Sequence, residues 1–382
     1  MNNKSLHLLI HQPRFSYYIG GGEIIPLIQA SNLSKQGNHI EILTSEPPKF
    51  SNVFNDFRNE NPQIKINLIK LQEHYQCLYN EVPGRDWSRW DEEAILFGQS
   101  AEKFYIDNIG KWDLVITHLL SDSLFIPNEF INILRLHGVP SEYRSFDRIF
   151  LKRPNGFVPD CNFVRDGWRK LYPELKSVNM PVSYNGVDSK LFKDLKKERK
   201  VDFLYVGRFL EIKGIYDILK AIIIIKDKGI NFNKLLMVGH GPEEEKIKAF
   251  IKRENISDKV EIISAISQND LVNVYNDAKI FVGPSYAKEG VISTMLEAAS
   301  CGTAIITANT CGMPEFAIHE KNSLTINPQD SNQLANCMEQ LLNNEDFRTK
   351  LSSNARKDIE QKWDVTITNK HLSKIYDDYV QK

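Results

Sequence analysis

The chain has 382 residues, of which 42% are hydrophobic and 25% charged, with a formal net charge of −1. That length suits two domains with cores of ordinary size, and the balanced charge excludes a global attraction to nucleic acid or anionic lipid. Five scattered cysteines (Cys77, Cys161, Cys301, Cys311, Cys337) form no CxxC or Cys/His cluster, which favours reduced thiols over a disulfide framework or a zinc site.

The first apolar run is too short for a signal peptide, and no stretch reaches the roughly 18 apolar residues of a membrane span. The expectation is a cytoplasmic protein, at most peripheral to a membrane. Short β-rich runs alternate with helical periods along the whole chain, the pattern of parallel sheets covered by helices. A strand is expected at 6–10, followed by Gly20, Gly21 and Gly22 and a helix over 23–36. Three glycines let a backbone approach a ligand closely, although a plain βα loop reads the same. The dinucleotide fingerprint GxGxxG is not met, since Ile25 and Pro26 stand at the required offset. Strands at 39–44 and 64–69, a helix at 91–109, and strands at 113–118 and 132–137 come next; the last two end on His118 and His137.

Arg144, Arg148 and Lys152 then recur at helical spacing, with Arg153 adjacent and apolar residues between. Such a segment fits a peripheral contact with anionic lipid or a polyprenyl-diphosphate acceptor. It fits a solvated helix face better, because Asp147, Asp166 and Glu174 dilute the charge. A linker over 180–200 contains Pro181, the Asn185-Gly186 turn signal and a basic run.

The pattern restarts with strands at 201–206, 234–238, 260–263, 279–282 and 304–306, and a helical tail fills 329–380. Two doubly wound halves imply a cleft, with ligands outside the carboxyl ends of the strands. Gly207, Arg208, Lys213 and Gly214 follow the first of these strands, and two fixed cations there suit a departing diphosphate. Gly239 and Gly241 follow the second. In KEGVISTMLEAASCG, Glu289 precedes Glu297 by eight positions, with Gly290 after the first and Cys301-Gly302 closing the helix, so Glu289 is expected at the helix N-terminus and Glu297 about two turns deeper. A helix N-terminus suits phosphate and a neighbouring carboxylate suits sugar hydroxyls. By spacing alone, two solvated surface glutamates are the better reading.

Taken in order, these elements resemble family 4 of the retaining glycosyltransferases. The resemblance rests on Gly20-Gly21-Gly22-Glu23, Ser183-Tyr184-Asn185-Gly186-Val187-Asp188 and Gly207-Arg208 with Lys213-Gly214. It continues through Gly239-His240-Gly241-Pro242, the Glu289/Glu297 pair and Gly312-Met313-Pro314-Glu315. It implies an α/β GT-B fold: two Rossmann-like domains facing across a cleft, with the C-terminal helix crossing back to the first. Residues 1–183 would hold the acceptor, with 364–382 packed on them, and 184–363 would hold a nucleotide diphosphate-sugar. It also implies roles. Arg208 and Lys213 would bind the diphosphate, Glu289 the sugar hydroxyls, and Glu297 the ribose. Gly21, Gly22, Gly207, Gly239, Gly290, Val291 and Ile292 would line the donor, and His137 would stand beside the transferred sugar; His118 would shape the acceptor side.

No metal or other cofactor is expected, since no DxD-like acidic site is present. The partners implied are a sugar-nucleotide donor, UDP- or GDP-linked, and a saccharide or lipid-linked acceptor, with no nucleic acid. Val291, Ile292, Cys311 and Ser323 depart from the residues usual in the family, which leaves the donor open. A sugar phosphorylase or synthase on the same fold, and a sugar-nucleotide binder without catalysis, are the alternatives.

Overall fold

The computed structural model describes residues 5–18, 21–71, 87–140, 142, 144, 147–264 and 266–381. Gly20, Cys77 and Phe146 lie outside them. The chain divides into two units, Met1–Tyr184 with Thr368–Lys382, and Asn185–Ile367.

In the first unit the described strands are β1 (His7–His11), β2 (His39–Ser45), β3 (Lys65–Ile69), β4 (Leu114–Thr117), β5 (Asn132–Leu136) and β6 (Gly156–Pro159). They form one parallel sheet in the order β3-β2-β1-β4-β5-β6. The helices are α1 (Gly21–Lys35), α2 (Asn52–Glu60), α3 (Trp87–Ile106), α4 (Asp147–Phe150) and α5 (Asn162–Leu171). In the second unit β7 (Val201–Val206), β8 (Leu235–Val238), β9 (Val260–Ile263), β10 (Ala278–Gly283), β11 (Ala304–Ala308) and β12 (Leu324–Ile326) give a parallel sheet ordered β12-β11-β10-β7-β8-β9. Its helices are α6 (Ile215–Asp227), α7 (Glu244–Arg253), α8 (Gln268–Asp277), α9 (Ser293–Ser300), α10 (Ser331–Asn343) and α11 (Glu345–Asp358), and α12 (Val365–Val380) ends the chain.

Central strands such as β4 and β7 are buried throughout, so they read as apolar runs. β6 and β12 escape a reading by pattern, being short and, in β6, bracketed by Gly156 and Pro159. Gly156 is needed there: a Cβ would lie 2.3 Å from the Tyr379 ring of α12. Leu372, Ile375 and Tyr376 of the same helix enter the core beside Leu8, Ile10 and Val158. The helical tail over 329–380 is broken into α10, α11, a π-turn at Ile359–Trp363 and α12.

Two local readings are corrected. Among the described residues of the basic segment 144–153 only Asp147–Phe150 is helical, and its arginines find partners within the unit. Arg144 pairs with Asp91 and Asp147, Arg148 with Glu174, and Arg153 donates to the Ile126 carbonyl. Glu289 does not stand on the helix that carries Glu297. Val291 and Ile292 are β-branched and favour extended backbone; Ile292 takes φ −69°, ψ 130°, so α9 begins only at Ser293. Among the described residues no helix is long and apolar enough to cross a membrane.

Candidate functional site

In each sheet the chain reverses its direction of winding beside the first strand, between β1 and β4 and between β7 and β10. Loops leaving the carboxyl ends of such strands are where parallel sheets receive ligands. Both sets of sequence candidates fall there.

In the second unit the loop after β7 carries Gly207, Arg208 and Lys213. Its course is held by neighbouring backbone: Gly207 N–H donates to Val238 O at 3.0 Å and Phe209 N–H to His240 O at 2.8 Å. Gly239 exists for this approach, since a Cβ there would lie 2.0 Å from the Gly207 carbonyl oxygen. Lys213 ends a short 3-10 turn, Glu211–Lys213. The Tyr286 N–H donates to Ile212 O at 3.0 Å, tying this turn to the loop after β10. Through that tie Lys213 Nζ reaches both carboxylate oxygens of Glu289 at 2.6 Å. The buried Ser285 hydroxyl donates to Glu289 Oε1 at 2.7 Å.

Gly290 is buried, and Val291 and Ile292 are half-buried at the entrance to α9, whose N-terminus no side chain caps. Its first N–H groups are of the kind that bind anions. Gly312 presses on this stretch: a Cβ there would lie 2.5 Å from the Gly290 carbonyl carbon and 2.8 Å from the Val291 nitrogen. Gly312 N–H also donates to Glu289 O at 3.2 Å. Hence the Gly312-Met313-Pro314 turn fixes the backbone between Glu289 and α9.

Arg208 is exposed. Both Arg208 and Glu289 act on the Tyr205 hydroxyl, which burial pushes up above all; Glu289 raises it further and Arg208 lowers it. That hydroxyl donates to the Arg208 carbonyl at 2.8 Å. Glu297, on α9, accepts from the Tyr275 hydroxyl at 2.7 Å. Burial pushes its carboxyl up to about 7, against the lowering by that hydrogen bond. So Lys213, Glu289 and the Gly290–Ile292 backbone are brought together, with Arg208 in electrostatic reach. Ser285, Tyr205 and Tyr275 were missed because nothing in their sequence spacing marks them.

In the first unit Gly21 and Gly22 open α1, and Glu23 in the same turn pairs with Arg14 at 3.4 Å. Arg14, 1% exposed, also meets Glu93 at 3.2 Å. Asp122, buried beside them, is pushed up to about 7 by burial, although Arg14 pulls it down. His118 and His137 leave adjacent strands, β4 and β5, and meet: His118 Nδ1 lies 2.9 Å from His137 Nε2, with the rings 13° from parallel. Asp160 Oδ2 stands 3.7 Å from His137 Nδ1. The polar set around Arg14 is invisible in sequence spacing, because its members come from separate loops and helices.

Residues 187–358 match the family described as glycosyl transferases group 1. The capsular polysaccharide biosynthesis glycosyltransferase CapM of Staphylococcus aureus is 28% identical over 182 residues, 47% of this chain and 46% of that protein. The chain thus spans about half the length of that relative. Among solved structures, sucrose-phosphate synthase from Thermosynechococcus elongatus superposes with a TM-score of 0.79 at 18% identity, over 97% of this chain and 98% of that one. Anabaena HepE in complex with UDP and glucose gives 0.75 at 16% identity, over 97% and 99%. At such identities the likeness is one of fold, and it is the GT-B fold that the two parallel sheets build. The matched segment fills nearly all of the second unit, so it is this unit that is similar to the group 1 glycosyl transferases.

Proposed function

We propose that the protein transfers a sugar from a nucleotide diphosphate-sugar to a saccharide or lipid-linked acceptor in the synthesis of a cell-surface polysaccharide, with retention of anomeric configuration. One observation carries this reading: Lys213, Glu289 and Ser285 converge at the β7/β10 reversal, next to the uncapped N-terminus of α9. A cation and free N–H groups suit a diphosphate, and a carboxylate beside them suits sugar hydroxyls. The capsular role of CapM supports the polysaccharide acceptor, and the UDP and glucose in HepE support a UDP-sugar as the first donor to test.

In the transfer, the bond from the anomeric carbon to the diphosphate oxygen breaks and its electron pair leaves with the phosphate. Arg208, Lys213 and the α9 N–H groups stabilise that charge, the work a bound metal does in other enzymes. The acceptor hydroxyl attacks the same face through an oxocarbenium-like state, and its proton passes to the departing phosphate oxygen. Glu289 holds the sugar and Glu297 the ribose, and His137 is the active-site histidine that the family resemblance implies.

The test is a heat-stability screen with UDP-, GDP- and ADP-sugars, followed by assay of slow hydrolysis. At a hundredfold excess over Kd a true donor stabilises the fold by about 2.7 kcal/mol, so one compound is expected to raise Tm by several degrees and to be turned over. If none does, and inorganic phosphate alone releases sugar from a saccharide, the phosphorylase reading takes its place. A donor that binds tightly but is never turned over with any acceptor extract points to a binding protein.

Glu297 gives a second expectation. A carboxyl raised to about 7 is largely protonated below that pH and cannot accept fully from two ribose hydroxyls. Affinity for a UDP-sugar, whose diphosphate does not titrate here, should therefore rise roughly tenfold between about pH 6 and pH 8. The sign for folding is opposite: a carboxyl raised in the fold contributes stability at low pH that is lost as pH rises from its ordinary value towards 7. Calorimetric titration of Glu297→Gln should show a flat pH dependence. A wild-type affinity independent of pH would remove Glu297 from the ribose.

A further inference from the structure

The contact between His118 and His137 holds one proton between two ring nitrogens 2.9 Å apart, so one ring must donate and the other accept. His118 is 7% exposed. Burial first, then His137, Arg135, Arg14 and His11, push it well below its ordinary value, so it is neutral near pH 7. Among the described residues those groups and Asp160 are the titratable and charged ones facing the pair: His11 at the end of β1, Arg14 in the loop after it, Arg135 on β5 and Asp160 after β6. Phe15 covers His118 from the β1 side, its ring centroid 6.3 Å away.

Two arrangements of a neutral pair compete. If His137 donates from Nε2, its Nδ1 lone pair faces the Asp160 carboxylate at 3.7 Å, and His118 keeps a buried N–H at Nε2 that no hydrogen-bond acceptor meets. If His118 donates from Nδ1, His137 carries its proton on Nδ1, which faces Asp160 at 3.7 Å without a hydrogen bond, and the unmet atom of His118 is a lone pair. Each arrangement leaves one buried N–H without a hydrogen-bond acceptor, at His118 Nε2 in the first and at His137 Nδ1 in the second. The Asp160 carboxylate decides between them, because at 3.7 Å it attracts an N–H on His137 Nδ1 and repels a lone pair there.

We propose that His118 is a positioning residue for His137: it donates from Nδ1 to His137 Nε2 and holds that ring in the Nδ1-protonated tautomer, backed by Asp160. The inference rests on the reading that His137 stands beside the donor sugar, but its first test does not. Pairing of a ring nitrogen sets which tautomer is present. Without the donor, the His137 ring is free to rotate and to change tautomer, and misplacement of a group near the reacting centre is costly.

The experiment is a long-range ¹H–¹⁵N spectrum of histidine-labelled full-length protein at pH 7.5. His137 is expected with a protonated Nδ1 and a bare Nε2, and a protonated Nε2 in the wild type would overturn the proposal outright. His118→Leu is expected to shift His137 towards the Nε2-protonated form. His118→Asn, whose amide reaches the place of Nδ1, should restore the wild-type pattern, and both variants are checked for an unchanged melting curve. Turnover is read as UDP release from UDP-glucose: kcat falls about tenfold to a hundredfold in His118→Leu, with KM little changed, and recovers in His118→Asn. Wild-type kcat in His118→Leu, with His137→Ala inactive, would show that His118 positions nothing that matters. Wild-type kcat in His137→Ala as well would instead sink the placement of His137 at the sugar, and the tautomer result would stand by itself.

Discussion

Lys213→Ala is expected to lower turnover of the sugar nucleotide by roughly two to three orders of magnitude, the loss typical when one preorganised charge donor is removed from a developing anion. The fold should hardly notice. Lys213 and Glu289 are 20% and 28% exposed, and a partly exposed ion pair contributes only about 1 kcal/mol or less. The same ammonium grips both oxygens of Glu289, so it also orients the carboxylate that would receive the sugar. Two roles in one side chain predict non-additivity: Lys213→Ala made in a Glu289→Ala background should cost much less than in the wild type. Steady-state kinetics with a melting curve for each variant checks both statements. Near-normal turnover in Lys213→Ala and Arg208→Ala together would remove the diphosphate from this site.

The largest loss of stability is expected at Arg14, far from those residues in sequence and in the other unit. Its guanidinium is 1% exposed and meets the buried carboxylates of Glu23 and Glu93, while lowering Asp122. Arg14→Leu fills similar space and withdraws the cation from all three. Breaking a buried pair in this way costs about 3–5 kcal/mol, or roughly 6–20 °C in a unit of this size. The pH dependence has a definite sign. Burial already raises Glu93 and Asp122, and loss of the cation that lowers them raises them further. A carboxyl raised in the fold loses its stabilisation as pH rises, so the deficit of Arg14→Leu should be greatest above neutrality and shrink towards pH 5. Scanning calorimetry at pH 5 and 8 decides it, and a Tm within 2 °C of wild type at both would show that Arg14 is not the hub of this cluster. Because Glu23 stands in the first turn of α1, the same variant tests how firmly the Gly21–Gly22 end of that helix is held.

Much of the fold was legible because buried parallel strands are apolar on both faces and are separated by helices of regular period. Of the strands that were not legible, β12 is only three residues long and β6 is shaped by a distant partner. Gly156 interrupts β6 in order to admit Tyr379, more than two hundred positions later, and no local pattern reports that. The basic stretch at 144–153 misled as well. Its spacing is helical, but Arg144 pairs with Asp91 and Asp147, and among the described residues of the stretch only Asp147–Phe150 is helical. With Glu289 and Glu297 the carboxylates were recognised, and the helix start was misplaced by the β-branched Val291 and Ile292.

The sequence by itself determined the class of the fold, the loops at which charge gathers and the residue types available there, because hydrophobic period and glycine placement are local properties of a chain. Only the tertiary structure decided which of those residues meet. Lys213 reaches Glu289 across 76 positions, and His118 reaches His137 across 19. Strand order sets both encounters: β7 lies beside β10, and β4 beside β5, so their carboxyl-end loops share a place that no spacing along the chain encodes.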